Sequence, residues 1–167
     1  MGVLKKINDY VTRLESWILV AIVLIMVILS FAQVVLRNVF DQGVLWGDIF
    51  LRHLVLWVGF IGASVATQEE RHINIDVLNR LTKGRAKFFT QGIIYLFAAV
   101  VSYFLMQAAW SFVMDEKEYA TILFNDIPAW YMQIIIPIGF GLMTIRFFIH
   151  FIQKTIDGFS LKEEQAS

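Results

Sequence analysis

Cysteine is absent from the 167 residues, which excludes a disulfide framework and any zinc or iron–sulfur site held by thiolates. Charge is scarce as well. Asp, Glu, Lys and Arg together make up 17% of the chain, against about a quarter in a soluble domain. Neither sign prevails, with fourteen basic and fourteen acidic residues, so no net field draws in nucleic acid or an acidic partner. There is no P-loop, no G-x-S-x-G, no H-E-x-x-H and no Gly-rich dinucleotide turn, which leaves the common enzymatic motifs unrepresented. What fills the chain is apolar: 58% of residues, including fifteen Phe, five Trp and five Tyr. A soluble domain this small keeps too much surface exposed to hide that content, and disorder fails on the same figures. The chain reads as a bilayer protein.

Four apolar runs approach the length of about 20 residues that a bilayer crossing requires. They are about 17–36, 49–67, 92–114 and 127–148. The first has no charge, with Ser30 and Gln33 its clearest polar members, and the third has none either. Lipid offers backbone groups no water, so such runs must be helices. The first exceeds a usual signal-peptide core and lacks a good small-residue cleavage site, so it reads as an anchor. The predicted fold is an all-α integral membrane protein of four transmembrane helices, a single membrane domain over 1–167, with short interfacial amphipathic helices.

Lys and Arg set the orientation. Lys5, Lys6 and Arg13 precede the first span, Arg71, Arg80, Lys83, Arg85 and Lys87 lie between the second and third, and Arg146, Lys154 and Lys162 close the fourth. Those eleven share one side, against Arg37, Arg52 and Lys117 on the other. Both termini are therefore predicted to be cytoplasmic. Val3, Ile7, Tyr10 and Leu14 keep helical spacing among charged residues. Residues 1–16 read either as an interfacial amphipathic arm or as the start of the first span. Ile75, Leu78 and Leu81 predict a second interfacial helix in the 68–91 cytoplasmic loop. Asn125 and Asp126 ahead of Pro128 match a capping side chain followed by Pro in a first helical turn. Pro137, in mid-span, cannot donate to the Gln133 carbonyl and predicts a kink in the fourth helix.

Mid-bilayer positions carry no ionisable group, which a stand-alone carrier of ions or charged solutes would normally keep. Haem between two His residues at matching depth is the one cofactor pattern to weigh; His53, His72 and His150 all lie at or beyond span ends, so no cofactor or metal is assigned. Gly59, Ala63 and Ala66 form a smooth stripe on the second helix with Gly62 beside it. Such a surface suits close helix contact, within the chain or with a partner. Trp17, Trp46, Trp110, Trp130 and Tyr131 read as anchors among membrane lipids at the interfaces, and Arg146 as a headgroup anchor. Trp57, near the middle of span two, needs an acceptor for its indole N–H.

From Trp46 onward the chain resembles the small membrane subunit of tripartite ATP-independent periplasmic transporters, the DctQ-like family. The likeness rests on Trp46-Gly47-Asp48 with Arg52, on Phe60-Ile61-Gly62-Ala63-Ser64 leading to His72-Ile73-Asn74-Ile75-Asp76, and on Ile127-Pro128-Ala129-Trp130 through Pro137-Ile138-Gly139 to Arg146. One departure is Ile49, where members often carry an acid; Asp48 stands one place earlier and is spaced to pair with Arg52. The resemblance implies a scaffold in the bacterial inner membrane, beside a large membrane subunit that imports an organic acid with sodium after a periplasmic solute-binding protein captures it. It makes Trp46, Asp48, Arg52, Trp57, Gly59, Gly62, Ala63 and Pro137 candidates for subunit contact. His72 and Asp76 become structural loop candidates, and the acidic 115–126 loop a candidate dock for the binding protein. A haem- or quinone-binding anchor subunit of a respiratory complex is the alternative.

Overall fold

The structure, a computed structural model, describes residues 2–41, 43–68 and 85–164. Four long helices account for most of it: α1 (Gly2–Phe40), α2 (Leu45–Gln68), α3 (Arg85–Glu118) and α5 (Ile135–Glu164). Between α3 and α5 lie strands β1 (Ile122–Phe124) and β2 (Ile127–Pro128) and the single-turn helix α4 (Ala129–Gln133). Each long helix contains a stretch apolar enough to cross a membrane: Asn8–Phe40, Trp46–Gln68, Phe89–Glu118 and, running through α4 into α5, Ala129–Ile156. The chain is an all-α multi-pass membrane protein with one small hairpin.

Residues 2–16 continue into the first span without a break, so the predicted arm is the start of a single 39-residue helix. At 1.5 Å per residue that helix is about 58 Å long. It is apolar all round from Trp17 to Leu29, with Val20, Leu24 and Ile28 exposed, as a helix facing lipid must be. Asp41, with φ 50°, ends it in the left-handed conformation common just past a helix. The loop 68–91 falls largely outside the described residues, as do His72, Asp76 and the helix predicted from Ile75, Leu78 and Leu81; α3 begins at Arg85.

Asn125 and Asp126 do not cap a helix. Both have positive φ, 45° and 60°, and form the two-residue turn of an antiparallel hairpin in which Phe124 pairs with Ile127 and Ile122 with Pro128. Two successive left-handed residues match the hairpin twist, and Asn and Asp tolerate them best after Gly. The cap of α4 is Pro128, without a side-chain hydrogen bond. The fourth span is interrupted as Pro137 predicted: the break falls at Ile134, between α4 and α5.

Helix packing runs in a row α1–α2–α5–α3, with α2 and α5 the inner members, and α1 also reaches α5 through Glu15 and Arg146. One core fills the α1–α2–α5 junction around Ile22, Leu54, Ile61 and Ile135, with Trp57 and Phe60 against it. Along α3, Gly92, Tyr95, Ala99, Ser102, Ala109 and Val113 are buried, at the alternating three- and four-residue spacing of a coiled-coil seam. The small side chains at Gly92, Ala99, Ser102 and Ala109 let α5 approach closely. At Gly139 the approach of α2 leaves no room for a side chain, since an added Cβ would stand 2.7 Å from Phe60 Cδ1.

Candidate functional site

The row has two polar ends. At the hairpin end α1 stops, α2 starts and the hairpin packs against the first turns of α2. Gln33 of α1 is buried and lies flat on Gly47, where a Cβ would meet its amide. With its amide turned to match Asp48, its oxygen accepts the Asp48 N–H (3.2 Å) and its nitrogen donates to Asp48 Oδ1 (3.1 Å). A side chain from α1 thus caps the first turn of α2, whose unpaired N–H groups need acceptors. Arg37, in the last turn of α1, reaches Asp48 Oδ2 at 3.5 Å. Each charge also sits at the helix end its sign favours. Asp48 therefore pairs across helices with Arg37 and not with Arg52, which is exposed. Trp46 stacks on Phe124 of the hairpin at 5.9 Å and meets Phe50 edge-on at 6.3 Å. Trp130 stacks on Tyr131 at 3.9 Å, with the Lys117 ammonium 5.2 Å from its ring.

Toward the opposite end, three helices meet at Arg146. Its side chain is 2% exposed. It pairs with Glu15 Oε2 of α1 at 2.7 Å, donates to Ser64 Oγ of α2 at 2.7 Å and to the Ser64 carbonyl, and reaches Thr12 Oγ1 at 3.1 Å. Ser64 in turn donates to Glu15 Oε1 at 3.0 Å, and Asn8 bonds Gln68 just beyond. Ser64 lies eighteen residues past Trp46, about 27 Å along the helix, near the edge of a hydrocarbon core about 30 Å thick. Arg146 is thus no headgroup anchor. Burial of a guanidinium requires that its donors and charge be met, and two other helices meet them.

Glu15, Thr12 and Ser64 were not legible as partners in the sequence. A signal for them existed: the alternating direction of the spans brings residues just before span one, late in span two and late in span four to one depth.

The remaining candidates divide by face. Trp57 donates its indole N–H to the Met132 carbonyl at 2.9 Å, in α4 two residues before the break at Ile134, so its hydrogen bond is spent inside the chain. Gly62 faces α1, with Leu19 Cδ1 3.6 Å from where a Cβ would be. Gly59 has open space there, and Ala63 is exposed with it. The stripe is therefore split between an internal contact and an uncovered face that also carries Arg52 and Val55. Pro137 is buried beside a groove of about 570 Å³ between α3 and α5. Trp17 and Trp110 are exposed on the apolar perimeter, at 69% and 54%. His53 bonds the Ile49 carbonyl at 2.8 Å near the hairpin end, whereas His150 stacks on Tyr95 toward the other. No group of three or more His, Asp or Glu able to hold a metal occurs among the described residues.

Comparison with known proteins places this arrangement. Residues 12–156 match the family model described as the DctQ component of tripartite ATP-independent periplasmic transporters. A C4-dicarboxylate TRAP transporter small permease protein of Vibrio cholerae is 21% identical over 168 residues, covering 85% of this chain and 71% of its own. An ectoine TRAP transporter small permease protein of Halomonas elongata is 25% identical over 147 residues, 87% of this chain and 76% of its own. A sialic acid TRAP transporter permease protein of Haemophilus influenzae is 29% identical over 91 residues, 54% of this chain but 15% of that longer protein. The family is one of transporter subunits and not of enzymes. With the match spanning most of its length and all four apolar helices, the chain belongs to the DctQ-component family of tripartite ATP-independent periplasmic (TRAP) transporters.

Proposed function

We propose that the chain is a non-transporting frame: it widens and anchors the large carrier subunit of a TRAP-type secondary transporter during sodium-coupled, binding-protein-dependent uptake of an organic acid. One observation carries the reading. Glu15 and Arg146 are the charged side chains buried among the described residues, and they neutralise each other. A carrier of charged solute keeps intramembrane charge available to its cargo; here none is free for it. The broad exposed apolar faces of the helices support the same role, because an elevator-type carrier needs a stationary frame with surfaces to dock on. The 91-residue match inside a much longer permease protein supports a place directly against a larger membrane component.

The relatives' names span sialic acid, C4-dicarboxylate and ectoine, so we infer the carboxylate-bearing class and no single solute. The basic-residue asymmetry supports the bacterial inner membrane with both termini cytoplasmic. That places the hairpin end, with Asp115, Glu116 and Glu118, on the periplasmic side where a solute-binding protein would dock. The haem alternative loses support because His53 and His150 occupy opposite ends of the row; His72 is outside the described residues.

The test is reconstitution. In liposomes under an inward sodium gradient the chain alone accumulates no labelled sialic acid or C4-dicarboxylate, while the chain with its large subunit and binding protein does. Accumulation by the chain alone would overturn the reading.

A further inference from the structure

A polar ladder on α3 stands at mid-membrane depth with nothing among the described residues to cover it. Tyr103 lies at the midpoint of the apolar stretch Phe89–Glu118, and Gln107 and Ser111 follow it at i+4 and i+8 on the same face. Ser111 is about 12 Å along the helix from Tyr103, still inside a hydrocarbon half-thickness of about 15 Å. All three are exposed, Tyr103 by 44%. Gln107 donates one amide N–H to the Tyr103 hydroxyl at 3.0 Å. That bond leaves the second amide N–H, the amide oxygen and the phenolic O–H still to be satisfied. Lipid tails satisfy none of them. The ladder borders the 570 Å³ groove, whose far wall is Pro137 and Ile138.

We propose that this groove seats a transmembrane helix of the large carrier subunit, which brings a hydrogen-bonding side chain to the Gln107–Tyr103 pair. The inference rests on the subunit reading above and names a docking face that reading does not. An acyl chain would fill the volume but leave the amide dry, whereas helices in lipid commonly associate through such polar contacts.

The experiment is a pair of measurements on the co-expressed complex. Tyr103→Phe with Gln107→Leu should weaken association with the large subunit about 10-fold, the scale of one to two intramembrane hydrogen bonds. The same double variant should leave the thermal midpoint of the isolated chain unchanged or raised, because an exposed polar pair has been replaced by apolar groups. Unchanged association overturns the docking face and leaves the subunit reading standing. Failure of the unaltered chain to associate overturns both. Ser111→Cys gives a unique thiol, since the chain has no other; with a benzophenone attached it should cross-link to the large subunit. Adducts confined to lipid or to a second copy of the chain overturn the proposal.

Discussion

Arg146 shows how far a residue's role can depend on neighbours remote in sequence. Its principal partner, Glu15, is 131 residues away, and the pair is nearly dry. A buried ion pair contributes little net stability over apolar residues of like size, but removing one partner strands the other charge at a cost of about 3–5 kcal/mol. Arg146→Leu or Glu15→Leu should therefore each destabilise the chain in detergent by that amount, read as a lower thermal midpoint, and the double Leu variant should recover most of it. A double variant as unstable as either single one would show that the charges do not act as a pair. Trp57 is the contrasting case: its need for an acceptor was legible from mid-span placement alone, and Met132 meets it. The difference is one of information. An indole N–H in lipid needs some acceptor whatever the fold, whereas a charge near a span end has water, headgroups or a helix partner to choose from.

At the scale of elements, the long helices and the Pro137 break follow from backbone chemistry and were readable. The hairpin was not. Asn and Asp serve helix caps and left-handed turns equally well, so residues 125–128 support both readings until the surroundings decide. What decides is the docking of Phe124 on Trp46 and Phe50 and the hydrogen bond from Ala129 N–H to the Thr121 carbonyl at 2.9 Å. If the turn holds Asp126 in the left-handed region, Asp126→Gly should be neutral or stabilise by up to about 1 kcal/mol. Asp126→Val should cost about 1–2 kcal/mol. Thermal melts of the two variants give the ordering, and a Val variant at least as stable as the Gly one would exclude the left-handed turn.

For the whole molecule, the row of helices gives two neighbouring glycines opposite duties. Gly62 is spent against Leu19 of α1, whereas Gly59 faces open space. Gly62→Leu should destabilise the isolated chain by about 1–3 kcal/mol through overpacking. Gly59→Leu should leave the isolated chain intact yet split the complex with the large subunit on size-exclusion chromatography. An intact Gly59→Leu complex would remove that face from the interface. Sequence by itself determined that this is a bilayer protein of four helical spans, because apolar runs of that length have no other place to go and an unpaired backbone cannot exist in lipid. It also determined the interruption of the fourth span, since proline lacks the donor wherever it sits. The tertiary structure alone decided that Arg146 faces inward, that Asp48 reaches Arg37, and which glycine is covered. Each of those depends on which helix lies alongside, and contacts between spans are set by packing across the membrane, which no local stretch of sequence encodes.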